Sequence, residues 1–280
     1  MKIGYQGSIG SYSYEATSII FKNEKKIQGF TLSEDVFNEL KNEQIQKAVL
    51  PIENSIIGNI DINTELIQSN DVHIIGEHYL PIKHYLYGLD GENLTSIKQV
   101  YSHPAALAQC HNYLTQKKII PMVEFDTGGA CQKLKKGKYE RGTGVIAGPT
   151  CSQLFPELSV LGERIQNNQS NYTRFVVIEK TNKKPSYFGN KFSLSLTTGH
   201  NPGALLDVLT LFKDLEVNLT KLESMPIPDT PFEYTFFIDG EFSKEDNNFW
   251  PNLKKALVEK KVNYKFLGIY QSHKRNLWKH

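Results

Sequence analysis

The stretch Asn171-Tyr172-Thr173-Arg174-Phe175 sets a hydroxyl beside a guanidinium at the entry to the apolar run Val176-Val177-Ile178. On a rigid strand such a pair presents one hydrogen-bond donor and one fixed positive charge, which suits an anionic ligand. A capped strand entry with a salt-bridging arginine uses the same residues, so the pentapeptide alone leaves both readings open. Three other stretches bear on the choice: Gly4 to Ser13, Pro51 to Gly58, and Asp126 to Cys131. Each places glycine and small polar residues between a strand-like run and a helix-like one. Helix N-termini at such junctions expose unpaired N–H groups, which together with Ser and Thr hydroxyls favour carboxylates. Three junctions plus Thr173-Arg174 predict a cleft between two lobes that binds a small anion.

Glu53 is the odd member of this set, because a carboxylate lining the cleft would repel an anion unless protonated or paired. Arg174 is its candidate partner, and a supporting or polarising role fits better than that of a direct base. Its plain alternative is to favour a helix dipole. The Gly7/Gly10 loop lacks the third glycine of a dinucleotide fingerprint, and no phosphate loop ending in Gly-Lys-Ser/Thr is present.

The elements that must hold these residues follow from periodicity. Strand candidates are Lys2–Tyr5, Ala48–Ile52, Val72–Ile75, Gln99–Tyr101, Met122–Phe125, Gly144–Ala147 and Arg174–Ile178, with helical patterns between them. Ser33 is placed to cap one helix, and another is expected from about Pro104 to Gln116 with Leu107, Cys110 and Leu114 on one face. This alternation indicates an α/β region with a mainly parallel sheet. Residues 181–190 read as a linker. Beyond it come a strand at Lys191–Thr197, then a helix with Pro202 in its first turn and Leu205, Val208, Leu209 and Phe212 on one face. A strand at Val217–Ser224 follows, and the turn Pro226–Pro231 leads into a strand with Phe232, Tyr234, Phe236 and Ile238 on one side. A helix with Phe249, Leu253 and Leu257 and a last strand with Val262, Tyr264 and Phe266 complete a βαββαβ order, an α+β sandwich.

The chain has 280 residues, 39% apolar and 22% charged, with a formal net charge of +2. That is enough for about two domains and argues against a nucleic-acid footprint. The Lys-rich piece around Lys135, Lys136 and Lys138 reads as a solvated face. No apolar run is long enough to span a membrane, and the N-terminus has no signal-peptide pattern. Cys110, Cys131 and Cys151 are an odd, widely spaced set, as in a reducing cytoplasm. The histidines show no metal-ligand spacing, and His103, near a helix start, reads first as structural.

Taken in order, Gly4–Ala16, Pro51-Ile52-Glu53-Asn54-Ser55, His103-Pro104-Ala105-Ala106-Leu107 with Gln109-Cys110, and Asn171–Phe175 resemble the motifs of the prephenate dehydratase family. Gly203-Ala204-Leu205-Leu206 and Glu223-Ser224-Met225-Pro226 resemble the phenylalanine-binding motifs of its ACT regulatory domain. The resemblance covers nearly the whole chain and is to the monofunctional form, since the first motif begins at Gly4. It implies a catalytic region, 1–181, of two lobes like a periplasmic-binding-protein fold (about 1–77 with 163–181, and 78–162), and a ferredoxin-like ACT domain at 191–280. It implies conversion of prephenate to phenylpyruvate, water and carbon dioxide in phenylalanine biosynthesis, without cofactor or metal, in a cytoplasmic homodimer or homotetramer.

On this resemblance Thr173 donates to the leaving hydroxide and Arg174 holds a carboxylate, with Glu53 in support. Ser11, Asn54, Ser55, Thr127, Asn171 and Phe175 position the substrate. Phenylalanine would bind at Asn201, Pro202, Gly203, Ala204, Leu205, Leu206, Glu223 and Ser224, at a subunit interface. The family usually has Arg where Met225 stands, which bears on feedback strength, and often Gln at Ala105. Its third junction commonly reads Ser/Asp-Thr-Ala, against Asp126-Thr127-Gly128-Gly129 here. Arogenate, with an amino group in place of the keto group, is the alternative substrate. A non-catalytic amino-acid or carboxylate sensor of the same fold is the alternative function.

Overall fold

The structure is a computed structural model that describes residues 1–181, 187–199, 201–227, 230, 233–243 and 248–273. Its elements, in order, are β1 (Lys2–Gln6), α1 (Tyr12–Ile20), β2 (Lys26–Phe30), α2 (Ser33–Lys41), β3 (Lys47–Asn54), β4 (Gly58–Asn59), α3 (Asp61–Ser69) and β5 (Val72–Pro81). Then come β6 (Tyr85–Leu89), β7 (Gln99–Ser102), α4 (Pro104–Gln109), α5 (His111–Lys117), β8 (Ile120–Val123), α6 (Thr127–Lys135), β9 (Thr143–Ala147), α7 (Cys151–Leu154), β10 (Leu158–Gly162) and β11 (Tyr172–Lys180). The last are β12 (Lys191–Thr197), α8 (Ala204–Asp214), β13 (Asn218–Pro226), β14 (Tyr234–Glu241), α9 (Phe249–Glu259) and β15 (Asn263–Tyr270). Two compact units form: Met1–Ile60 with His78–Phe175, and Asp61–Glu77 with Val176–His280.

Within the first unit β1 pairs in parallel with both β2 and β3 in one sheet. Ile3, Tyr5, Val49, Leu50 and Ile52 are buried along it, and α2 adds Val36, Phe37 and Leu40 from its apolar face. A second sheet runs β10-β6-β9-β7-β8. Its strands feed two cores by simple alternation: Leu86 and Ile146 face Ala106, Leu107, Cys110 and Leu114, while Tyr87, Val145 and Ala147 face Ala130, Cys131, Leu134 and Cys151. Each sheet thus carries helices, and the chain passes between the two sheets to give the expected two-lobed α/β architecture. The second sheet is mixed rather than mainly parallel, because β6 pairs antiparallel with both β9 and β10.

The second unit contains the βαββαβ order, with a fully antiparallel sheet β13-β14-β12-β15. One face packs Phe192, Leu194, Leu196 and Ile238 against Val208 and Phe212 of α8 and Phe249, Leu253 and Leu257 of α9. The other face is polar yet buried, and its groups find partners inside the unit. Lys191 Nζ pairs with Glu77 at 2.9 Å, Ser193 meets Asp239 and the Tyr270 hydroxyl, and Ser195 donates to Gln68 Oε1 at 2.9 Å.

Several local expectations change. The helix expected from Pro104 to Gln116 is two helices, because Cys110 leaves helical geometry at φ −108°, ψ 9°. Ser33 is the first helical residue of α2 rather than its cap; Leu32 holds the cap position and makes no side-chain bond there. Pro202 precedes α8, whose cap is Gly203 in the left-handed region at φ 88°. Residues 182–186 of the expected linker, and Pro228, Asp229, Pro231 and Phe232 of the expected turn and strand, lie outside the described residues.

Candidate active site

Three loops and one strand entry of the first unit converge on a cavity of about 290 Å³. That is close to the smaller end of ligand pockets, roughly 300–1,000 Å³. Ser11, Asn54, Thr127, Thr173 and Phe175 line it, as expected from sequence, and so do Tyr12, His84, His103, Gln109 and Asp126.

The first loop ends at Ser11, whose hydroxyl caps α1 by accepting the Tyr14 N–H at 3.2 Å. The third ends at Asp126, which caps α6 through the Gly129 N–H and accepts the Ser8 N–H at 2.9 Å. One carboxylate therefore ties the two junctions together. Gly128 allows the approach: a Cβ there would stand 2.4 Å from Ile9 O and 2.6 Å from Ser11 N. Two nine-residue helices consequently direct their positive ends at one cavity. His103 caps α4 with Nδ1 accepting the Ala105 N–H, and burial pushes its pKa below the ordinary imidazole value.

Asn54, at the end of β3, organises the opposite wall. Its Oδ1 accepts the N–H groups of Ile56 and Ile57, both at 3.0 Å, and this fixes which way the amide faces. Its Nδ2 then donates to Asn171 Oδ1 at 2.8 Å and to Thr173 Oγ1 at 2.9 Å. Thr173 Oγ1 is an acceptor in this contact. Its own proton has no protein acceptor among the described residues and is available to whatever fills the cavity.

Other expected residues fall elsewhere. Ser55 does not line the cavity: its N–H donates to Tyr172 O and its hydroxyl accepts the Tyr172 N–H, both at 2.9 Å, which fastens β3 to β11. Asn171 is buried behind the wall, bridging Asn54 and Gln109. Arg174 is also absent from the lining, because successive strand residues point to opposite faces and Thr173 and Phe175 occupy the cavity side. Its guanidinium is buried and lies 3.8 Å from Glu53 Oε2, so the pairing expected of these two is present. Sequence reading left Tyr12, His84 and Gln109 without roles. Nothing in the string Pro81-Ile82-Lys83-His84 sets this histidine apart from the other seven. The described residues hold no group of three or more His, Cys, Asp or Glu able to bind a metal.

The second unit has its own cavity, about 200 Å³, lined by Thr197, Thr198, Gly199, Asn201, Ala204, Asp207, Val208, Lys260, Lys261 and Val262. Asn201 and Ala204 stand where an effector site was expected; Pro202, Gly203, Leu205 and Leu206 do not line it, and Leu206 is 64% exposed. Glu223 is buried and pairs with Lys221 Nζ at 2.9 Å, while Ser224 is exposed on the opposite strand face. Burial, with Asp61 adding to it, holds the Glu223 carboxyl above the usual range. Met225 is buried too, and its sulfur accepts from Gln68 Nε2 at 2.9 Å.

Comparison with known proteins places these features in a family. The family model for prephenate dehydratase matches residues 3–183. A bifunctional chorismate mutase/prephenate dehydratase of Aquifex aeolicus is 30% identical over 281 residues, covering 99% of this chain and 74% of that protein. An arogenate dehydratase/prephenate dehydratase of Arabidopsis thaliana, a chloroplastic protein, is 30% identical over 282 residues, covering 96% of this chain and 72% of its own. Among solved structures, a prephenate dehydratase from Arthrobacter aurescens in complex with L-Phe superposes with a TM-score of 0.86. It covers 97% of this chain and 90% of that one, and at 24% identity the likeness is one of fold.

Proposed function

This chain belongs to the prephenate dehydratase family, and from that premise we propose that it converts prephenate to phenylpyruvate, water and carbon dioxide. The observation that carries the reading is the hydrogen-bond polarity at Thr173, an acceptor from Asn54 whose remaining proton is free for the cavity. In the reaction the bond between the ring and its carboxylate breaks, its electron pair enters the ring, and the C–O bond opposite breaks. The departing hydroxide takes a proton from solvent and leaves as water. A threonine hydroxyl is too weak an acid to supply that proton outright, so Thr173 stabilises the developing negative charge on the oxygen as a fixed donor. Aromatisation of the ring provides the driving force.

The N-termini of α1 and α6 suit the substrate carboxylates. Arg174 acts through its field from behind the wall, with Glu53 polarising it. The carboxylate lost as carbon dioxide sits against the apolar part of the lining, Ile57, Ile82 and Phe175. Arogenate is the second reading, favoured by the relative named for both activities. We assign residues 1–181 to catalysis and 191–280 to an ACT-type regulatory domain that binds phenylalanine and feeds back on the reaction. The protein would act as a dimer or tetramer. Three buried free thiols agree with a cytoplasmic setting, and among the described residues no helix is long and apolar enough to cross a membrane.

Turnover of prephenate and arogenate by the wild type and by Thr173→Ala tests the assignment. Loss of the donor should lower kcat by about 10²–10³ with little change in KM. Unchanged turnover in the variant removes Thr173 from the mechanism, and no turnover of either substrate by the wild type removes the dehydratase reading.

A further inference from the structure

The amide that fixes Thr173 also begins a line of side chains running away from it, and its polarity can be followed step by step. Asn54 Nδ2 faces Asn171 Oδ1, so the Asn171 amide must turn its N–H groups the other way. They donate to Gln109 Oε1 at 2.9 Å. That same oxygen lies 2.7 Å from His84 Nε2. An amide oxygen has no proton to give, so the imidazole must carry one on Nε2. Nδ1, at the other end of the ring, lies 2.8 Å from Tyr12 Oη. In the neutral ring Nδ1 is an acceptor, and it shares the one Tyr12 hydroxyl proton with Lys83 O, which lies at the same 2.8 Å. Burial holds the Tyr12 hydroxyl far above its usual pKa, so this proton is always present.

Two donors on Gln109 Oε1 leave only one arrangement for the rest of that amide. Gln109 Nε2 makes no hydrogen bond among the described residues, and Gln109 lines the cavity. Its N–H groups are therefore directed at the cavity's contents. We propose that His84, held in its Nε2–H tautomer by Tyr12, is a positioning residue that locks the Gln109 side-chain amide with its N–H donors facing the substrate. The donors suit a carboxylate or keto oxygen. The substrate's identity rests on the dehydratase reading; the tautomer does not.

The rest of the histidine's setting supports a fixed ring. Its N–H donates to Gln166 Oε1 at 3.0 Å and its carbonyl accepts the Ile165 N–H at 2.9 Å. Tyr12 packs edge-on against it with centroids 5.6 Å apart. Burial pushes the His84 pKa below that of an ordinary imidazole, so the ring is neutral around pH 8. The titratable groups on the segments that contact it are Tyr12 and Glu15 on α1, Lys83 beside it, Cys110 after Gln109, and Glu163 and Arg164 before Ile165, while His103 and Asp126 line the same cavity. Tyr12 is the one hydrogen-bonded to the ring, and its hydroxyl also lies 2.8 Å from Lys83 O. Once the ring is protonated, Nδ1–H donates to Tyr12 and the tyrosine proton moves to Lys83 O. Nε2–H is present either way.

That symmetry gives a test that a merely structural role would not pass. In the full chain, Tyr12→Phe frees Nδ1 and loosens the tautomer, so kcat/KM near pH 8 should fall roughly tenfold, mostly through KM. As pH falls and His84 gains its second proton, Nε2–H is restored, and the ratio of variant to wild type should climb back toward one. His84→Leu should show the loss without the recovery. A Tyr12→Phe deficit that does not change with pH, or no deficit at all, overturns the proposal. ¹⁵N NMR of histidine-labelled wild type, with His84→Leu to assign the signal, should show the Nε2–H tautomer. An Nδ1–H tautomer overturns it whether or not the protein turns over prephenate. A wild type inert toward prephenate and arogenate with the Nε2–H tautomer intact would fault the dehydratase reading alone.

Discussion

The cavity of the first unit has no lysine or arginine in its lining; it is built from amides, hydroxyls, two imidazoles and two helix N-termini, with Asp126 spent on capping. The cavity of the second unit is of similar size and carries Lys260, Lys261 and Asp207 among its lining residues, all exposed. Fixed dipoles that are already paired on one side need no reorganisation when charge develops, and they keep their strength where water is excluded. Exposed charges reach a ligand cheaply but are screened by salt and held loosely. The first arrangement suits a reaction in which one oxygen gains charge for an instant. The second suits reversible capture of a charged small molecule.

The sharpest way to break this contrast is to reverse one dipole without changing shape. Asn54→Asp keeps the acceptor for Ile56 and Ile57 but cannot donate to Thr173 or Asn171. The Thr173 hydroxyl would then turn its proton toward the new carboxylate. We expect kcat to fall by about 10²–10³, as for loss of an oxyanion donor. Combined with Thr173→Ala the loss should be smaller than the product of the two single losses, because the Asn54–Thr173 contact is common to both while the Asn171 contact belongs to Asn54 alone. Additive losses would show that Asn54 acts on the substrate separately from Thr173.

A smaller effect follows from the contact that brings the helix N-termini together. In Gly128→Ala the added carbon meets backbone of residues 9 to 11, with Gly10 C at 2.7 Å as well as Ile9 O and Ser11 N. Backbone cannot swing aside as a side chain can, so α6 must retreat from α1. Overpacking of this kind costs about 1–3 kcal/mol, which urea unfolding would register. KM should rise severalfold as the two positive ends part, while kcat, which the proposed mechanism ties to Thr173, should change little. A rise confined to stability would separate the helix ends from carboxylate binding.

How far the sequence carried depends on what each feature needs. Alternation and turn chemistry are local, so the βαββαβ order and the loops at Ser11, Asn54 and Thr127 were readable. Facing is local too, yet the pairing of Thr173 with Arg174 hid it: adjacent strand residues point to opposite faces, and of the two only Thr173 lines the cavity. Glu223 and Ser224 fail to share a site for the same reason. The His84–Gln109–Asn171 line joins residues 25 and 62 positions apart, and no spacing rule announces such contacts. Ser33 missed its cap by one residue, within the usual uncertainty of helix ends.

The gentlest test lies in the second cavity. Lys261, exposed and in the left-handed region at φ 54°, lines it beside Lys260. If phenylalanine binds there, its carboxylate or ammonium meets charges that solvent already screens, so Lys261→Ala should weaken binding only about two- to fivefold. Calorimetry at low and high salt would show the difference between wild type and variant shrinking as salt rises. The same change in salt should leave the variant-to-wild-type ratio of Asn54→Asp in kcat where it was, since a buried amide dipole is not screened. A salt-independent loss at Lys261 would mean that this lysine holds its ligand by a desolvated contact, and that the two cavities differ less than their linings suggest.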